Sequence, residues 1–434
     1  MSISPGVSRP AAYGEVVVIG AGAIGASTAA HLAHLGHQVV VLEKEAEPGL
    51  HQSGRNSGVI HAGYNLRPGT LKARLCVEGS RRLRAFCQER DVPMRQGGIL
   101  VIARTDAECT TLAELERRAK ANGVQARLVS EEDIRELEPQ VRGVQALHAP
   151  EGASFDAQRY VRCLMADAVA KGARVLYNTR VLGVDDRSLE GQTGSPVKLR
   201  TSAGAITGEV VINCAGLQAD RLAGVLATDF RIIPFRGNYA ELRSSSRHFV
   251  VSHVYPVPDL RFPFLGVHLS RRVDDRVIVG PGAMLAFGRE AYRFTQVDWR
   301  DLADTCTWPG FVRLLRRPEF LRLIGTEVLK SVSLKRIWTE ATRLIPALQP
   351  QDLVRSYAGN RAQLVSRSGE LVDDILIRET PRAIHVLNAV SPGLTCSLPF
   401  GELLANRCDE KLTGSTPSES PWSGSGSDTL KVRR

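Results

Sequence analysis

The sequence predicts an α/β protein, in which a Rossmann-like dinucleotide-binding domain is interleaved with a substrate domain of antiparallel sheet plus helices. Three observations carry this. A glycine-rich turn stands between two fully apolar runs near the N-terminus. A third apolar run ending in glycine, Val210 to Gly216, returns much later in the chain. The block from Ile232 to Gly280 instead has alternating strands and proline-rich connections at Pro256, Pro258 and Pro263.

The first unit is the most regular. Val16-Val17-Val18-Ile19 is a continuous apolar run, the pattern of a strand buried on both faces. Ala26 to Leu35 reads as a helix that Gly36 stops, and Val39 to Leu42 as a second buried strand. Together they form a βαβ unit. Further on, a helix is expected from Leu71 to Cys87, a strand from Gly98 to Ala103, and helices over Ala107–Asn122 and Tyr160–Lys171. Strands are expected over Arg174–Tyr177 and Val181–Val184. The second domain contributes strands such as Tyr239–Leu242 and Val277–Val279, with helix from Asp298 to Thr342. A last strand, Ile384–Leu387, precedes a last helix, Leu398–Asn406.

The predicted partition follows. A polar leader covers 1–13. The dinucleotide domain takes 14–92, 150–228 and 354–408. The substrate domain takes 93–149 and 229–353, and the Ser/Gly/Pro-rich stretch 409–434 is expected to be a disordered tail.

The glycine turn reads Gly20-Ala21-Gly22-Ala23-Ile24-Gly25. Gly20 allows the tight turn, Gly22 close approach of a pyrophosphate, and Gly25 close helix–strand contact. The free N–H groups at the helix start, from Gly22 through Ala23 and Ile24, face the phosphates. Glu43, at the end of the second strand, suits the two ribose hydroxyls, and Lys44 can reach the adenosine. This unit alone does not separate FAD from NAD.

Composition narrows the class. Of 434 residues, 43% are hydrophobic and 24% charged, as in ordinary soluble domains. The formal net charge of +10 favours anionic ligands, and no nucleic-acid module is present. None of the eight cysteines forms a CxxC pair, so neither a metal site nor a redox dithiol is signalled. No run approaches the roughly 18 apolar residues of a membrane span, and no secretory signal is read at the start. A cytoplasmic location is expected. The basic, amphipathic stretch 311–335 fits either a helix pair with one face in the core or peripheral contact with an anionic bilayer.

The segment His51-Gln52-Ser53-Gly54-Arg55-Asn56-Ser57-Gly58-Val59-Ile60-His61-Ala62-Gly63 is polar and glycine-rich, as suits backbone laid along an extended cofactor. Here the sequence resembles the L-2-hydroxyglutarate dehydrogenases and oxidases, within the wider D-amino-acid-oxidase-like flavoproteins. The likeness continues through Pro68–Ala73, Pro234–Gly237, Tyr255–Pro258, Pro263–Leu269, Val279–Pro281, Leu285–Phe287, Gly359–Gln363 and Ser391-Pro392. It spans roughly residues 15 to 407.

The resemblance implies FAD as cofactor. It implies hydride abstraction from an L-2-hydroxy acid, with L-2-hydroxyglutarate favoured, and electrons passed to a quinone, dioxygen or another acceptor. It adds His51, Asn56, Ser57 and Gly58 near the pyrophosphate and ring, and Val181 by the adenine. Cys214-Ala215-Gly216 and Asp220 would lie at the cofactor edge, with ordinary strand-end packing as the alternative. Gly393, Leu394 and Thr395 would open the last helix toward the flavin. Arg361 is the expected carboxylate ligand, since a planar guanidinium binds carboxylate bidentately, and Arg236 a second one. Tyr255 and Asn65 are the remaining substrate candidates. His61 and His268 are candidates for the base that takes the hydroxyl proton.

Two departures leave the substrate open. Asn65-Leu66 stand where the family carries two tyrosines, and Gly393-Leu394-Thr395-Cys396 where it carries smaller residues. An amine or amino-acid oxidase, and a flavin-binding regulatory protein without turnover, are the competing readings. The oligomeric state is not legible.

Overall fold

In a computed structural model that describes residues 12–185, 196–260, 266–389 and 391–415, the chain forms two large sheets with helices packed around them. The expected leader up to residue 11, the tail from 416 and the Pro263–Leu265 part of one motif lie outside the described residues. In chain order, the site is framed by β1 (Ala12–Ile19), α1 (Ala23–His34), β2 (Val39–Leu42), α2 (Leu71–Glu89), β3 (Ile99–Ala103), β4 (Gly204–Asn213), β5 (Phe230–Leu242), β6 (His253–Pro256), β7 (His268–Arg271), β8 (Leu353–Ser366), β9 (Ala383–Asn388) and α3 (Ser397–Thr413).

The first sheet is the expected parallel one. β1 pairs with β4 (Val16↔Val210) and with β2 (Val16↔Val39), and β4 pairs with β9 (Val211↔Ala383), all parallel. Val16, Val17 and Val18 are completely buried, which explains their unbroken apolar run. On one face α1 packs with α3 and the helix Ala157–Ala170, joining Ala26, Leu32, Leu164 and Leu404 in one cluster. The glycine turn thus projects from the C-terminal edge of a rigid sheet, where open α/β sheets bind ligands.

The second sheet has nine strands, mostly antiparallel, and its spine is the long pairing of β5 with β8. This corrects the expected partition: residues 354–366, assigned to the dinucleotide domain, lie in the other sheet. Their partner strand lies more than a hundred residues upstream, so local pattern could not reveal the pairing. One more correction is local: the last helix runs on to Thr413, so the tail begins later than 409. The stretch 298–342 is helical as expected, divided into Trp299–Thr307, Pro309–Leu315, Pro318–Val332 and Leu334–Thr342, with Pro309 and Pro318 each opening a new helix.

The amphipathic stretch 311–335 directs Phe311, Leu314 and Phe320 into a core cluster with Trp308, Ile233 and Phe235. Among the described side chains of this stretch, Leu321, half exposed, is the one large apolar residue facing outward. Among the described residues no helix is long and apolar enough to cross a membrane. All eight cysteines are free thiols.

Candidate active site

A single cavity of about 970 Å3 runs from the glycine turn to the junction of the two sheets. That is at the upper end of the roughly 300–1,000 Å3 of small-molecule sites, as a long cofactor requires. Its walls include Gly20, Gly22, Ala23, Ile24, Glu43, Lys44, Val181, Cys214, Ala215 and Gly216 at one end, and His61, Tyr255, His268, Arg361, Gly393, Leu394 and Thr395 at the other.

The turn has the shape its sequence promised. Gly20 has φ +97°, open to glycine but strained for other residues. A Cβ on Gly25 would lie 1.9 Å from the Gly20 carbonyl oxygen, so only glycine lets α1 start this close to β1. Gly25 itself is not part of the cavity wall; its role is that contact. Glu43 is buried, and its carboxylate accepts the Ala21 N–H at 2.8 Å and the Glu45 N–H at 2.9 Å. Two backbone donors on a carboxylate leave lone pairs for two ribose hydroxyls. Ser53 Oγ accepts the Ala23 N–H at 2.9 Å, holding the 49–57 loop against the start of α1. The deep cleft, the glycine cradle, the helix start beside it and the placed carboxylate fit a dinucleotide cofactor.

The junction end is chemically distinct. Arg361 and Phe235 are directly paired across β8 and β5, and Phe235, Gly237 and Tyr239 alternate along the cavity face of β5. Gly359, next along β8, lies against the Arg55 carbonyl oxygen; a Cβ there would come within 2.0 Å of it. Tyr255 and His268, on the adjacent strands β6 and β7, stack with centroids 4.2 Å apart and planes at 17°. His268 Nδ1 lies 3.0 Å from the Gly266 carbonyl oxygen. A carbonyl only accepts, so Nδ1 carries the proton and Nε2 keeps its lone pair. The His61 backbone N–H donates to Thr395 Oγ1 at 3.2 Å, tying the 51–63 segment to the turn before α3.

Burial sets the charges here. It pushes the His61 imidazole down to about 4, with the Arg361 cation adding to the effect. Burial likewise lowers His268 to about 4, partly opposed by the Gly266 hydrogen bond and reinforced by His61 and Arg361. Burial raises the Tyr255 phenol to about 12 and raises Tyr239 as well. At neutral pH this end therefore presents a guanidinium, neutral imidazoles and neutral phenols. That arrangement attracts an anion and offers unprotonated bases.

Several expected contacts are corrected. Arg236 is fully buried on the opposite face of β5, donating to Met284 Sδ at 3.2 Å beneath the Phe294 ring, and does not line the cavity. Consecutive strand residues face opposite ways, and Phe235 takes the cavity side. Asn65 stands outside the cavity and its carbonyl accepts from Arg118. Gly58 is a turn residue at φ +70°, donating to Asn56 Oδ1 and accepting from Phe155, and is not in the wall. The Asn56 side chain ties its own loop through the Gln52 and Ser53 carbonyls, and only its position, beside Ser57, lines the cavity. Asp220 reaches the wall, but its oxygens accept from Arg289, the Ile232 N–H and the Arg221 N–H. Its role is the buried ion pair. Gly393, Leu394 and Thr395 form the turn before α3, which starts only at Ser397.

Sequence reasoning missed Phe235, Tyr239, Ser53, Arg289 and Glu290. The alternation Phe235, Gly237, Tyr239 was a usable signal for the first two. Nothing local marks the others. Near Lys44, the groups Glu45, His51 and Glu290 have ligand atoms within 4.8 Å of one another. The Lys44 ammonium already occupies their midst, 2.5 Å from Glu45 and 3.0 Å from Glu290, and supplies the positive charge.

Comparison with known proteins places this geometry. The family "FAD dependent oxidoreductase" matches residues 15–407. An L-2-hydroxyglutarate dehydrogenase of Indibacter alkaliphilus is 38% identical over 394 residues, covering 89% of this chain and 96% of that protein. The mitochondrial L-2-hydroxyglutarate dehydrogenase of Homo sapiens is 34% identical, covering 92% and 89%. Among solved structures, the FAD-bound L-α-glycerophosphate oxidase of Mycoplasma pneumoniae superposes with a TM-score of 0.73 at 22% identity, covering 94% and 97% of the two chains, a likeness of fold.

Proposed function

The chain belongs to the FAD-dependent oxidoreductases, among the L-2-hydroxyglutarate dehydrogenases, and on that premise we propose that it oxidises L-2-hydroxyglutarate to 2-oxoglutarate. The observation that carries the reading is the single cavity joining the dinucleotide turn to an end holding Arg361, His61 and His268. Bound there, FAD would supply the hydride acceptor, to be reoxidised by a quinone, dioxygen or another acceptor.

The protein's own groups bind and orient. Gly20, Gly22, Ala23 and Ile24 would hold the pyrophosphate and Glu43 the ribose, while Val181 and the Cys214–Gly216 edge would flank the adenosine half. The Gly393–Thr395 turn would border the ring. Arg361 would take the carboxylate beside the reacting carbon and so orient C2. As the C2–H bond breaks, the hydroxyl proton passes to a neutral imidazole. His268 is the better placed of the two candidates, because its Nδ1–H is held by Gly266 and its Nε2 is left to accept. Tyr255, stacked on that ring, keeps its plane and excludes water. A small anionic substrate agrees with the positive, carboxylate-poor character of this end.

The 311–335 stretch directs Phe311, Leu314 and Phe320 to the core, so a bilayer contact there would rest on its basic residues and the exposed Leu321. Salt-sensitive pelleting with anionic liposomes tests it. The activity itself is tested by incubating purified protein with an artificial acceptor dye and either L-2-hydroxyglutarate, its D-enantiomer or amino acids. The reading requires 2-oxoglutarate from the L-hydroxy acid. Turnover of an amino acid in its place would support the amine-oxidase alternative, and no turnover of any would support a regulatory flavoprotein.

A further inference from the structure

Between the strand Met284–Leu285 and the helix Trp299–Thr307, the chain leaves the second sheet and bridges to the dinucleotide side before returning. We propose that this segment, residues 286–297, is a strap that retains FAD, with Arg289 as its pin and Glu290 and Tyr292 as its latches. The proposal rests on the FAD reading above and concerns what keeps the cofactor in place.

The pin is built for rigidity. The Arg289 side chain is 2% exposed and meets Asp220, which is fully buried, through both terminal nitrogens, one of them 2.9 Å from Oδ2. It also donates to the Leu217 carbonyl at 2.6 Å, and its backbone N–H donates to Asp301 at 2.7 Å. From the β8 side, Asn360 Nδ2 donates to the carbonyls of Arg289 at 3.0 Å and Ala291 at 3.3 Å. A buried, multiply hydrogen-bonded charge of this kind fixes geometry, because removing either partner strands the other. With Arg289 held inward and the carbonyls on either side of Glu290 bound, Glu290 lines the groove and Tyr292 stands against its lining residues His51 and Arg55.

The latches cross it. Glu290 lines the cavity and pairs with Lys44, the residue after the ribose carboxylate Glu43, at 3.0 Å. It also accepts from Gln218 at 3.2 Å. The Tyr292 hydroxyl meets His51 Nδ1 at 2.6 Å, and the Arg55 guanidinium sits 4.2 Å above the Tyr292 ring. His51 and Arg55 belong to the loop whose Ser53 caps the phosphate-facing end of α1. The two latches thus tie the second sheet to Lys44 at the end of β2, to Gln218 after β4 and to the 51–57 loop, whose His51 itself meets Lys44 at 2.6 Å. A long cofactor seated there cannot leave sideways until they part. None of these ties touches the reacting end, so their loss acts on retention of the cofactor.

The test uses the purified holoenzyme. Flavin fluorescence, which recovers on release, is followed after dilution of wild type, Tyr292→Phe, Glu290→Gln and the double variant. The double variant is expected to release flavin about tenfold faster or more, the loss of two hydrogen-bonded ties, with intermediate single variants. Hydrogen exchange of wild-type residues 286–297 supplies a reading independent of any variant: these amides exchange more slowly in holoprotein than in flavin-free protein. Wild type that holds flavin, with variants that release it no faster or a strap whose exchange ignores the cofactor, overturns the proposal alone. Wild type that carries no flavin overturns the cofactor reading and the strap with it.

Discussion

Replacing Arg361 with methionine removes the guanidinium at the junction end of the cavity while keeping an unbranched side chain of similar reach. The described carboxylates of the cavity wall are engaged elsewhere: Glu43 with backbone amides, Asp220 and Asp304 with Arg289, and Glu290 with Lys44. Arg361 lines the substrate end of the cavity, where a bound substrate carboxylate would meet its guanidinium. Truncating one partner of a buried, hydrogen-bonded charge pair costs about 2–5 kcal/mol. At about 1.36 kcal/mol per decade, that is a fall of roughly thirtyfold to several-thousandfold in kcat/KM for L-2-hydroxyglutarate. Arg361→Lys keeps the charge but not the two-pronged geometry and is expected to lose about tenfold or more. The assay is steady-state oxidation with a saturating acceptor dye, with flavin content measured in parallel so that lost cofactor is not mistaken for lost substrate affinity. Arg361→Met retaining kcat/KM within about threefold, at equal flavin content, would refute the carboxylate role.

Four further outcomes follow from the same geometry. Because burial holds His61 and His268 near 4 instead of the ordinary 6.5, the base stays unprotonated at neutral pH; flavin reduction should be flat down to about 5 and fall as pH passes through about 4, and a limb at 6.5 in the pH profile contradicts this. The same lowering acts on stability: the unfolded chain takes up protons at these histidines first, so stability is lost as pH falls from 6.5 toward 4, read as a falling Tm. Asp220→Asn should destabilise the fold by about 3–5 kcal/mol by stranding Arg289, which denaturant unfolding measures; unchanged stability would contradict the ion-pair role. Gly25→Ala should abolish flavin binding or folding, since its Cβ would meet the Gly20 carbonyl at 1.9 Å, and a variant with normal flavin content would contradict the close-contact role.

The parts of this protein legible in its sequence are those whose physics is local. Val16 to Leu42 shows itself because apolar strands, a glycine turn and a helix stop are neighbours in the chain, and Glu43 falls at a fixed distance from them. His61, His268 and Arg361 came through resemblance, and all three line one cavity. What was hidden depends on pairing. Arg236 was assigned to the substrate because it sits in a matched motif, but only the register of β5 against β8 decides that Phe235, not Arg236, faces inward. Asp220 stands one turn past a cofactor-edge strand, and nothing nearby announces Arg289 as its partner. Glu290 and Tyr292 lie in a polar stretch that reads as ordinary loop until Lys44 and His51 are brought beside it.

The most direct test is anaerobic mixing of the purified flavoprotein with L-2-hydroxyglutarate, protonated or deuterated at C2, with the flavin absorbance followed in time. The account predicts bleaching by the L-enantiomer, slowed by deuterium at C2, and none by the D-enantiomer. A flavin left oxidised by L-2-hydroxyglutarate yet bleached by an amino acid would contradict it.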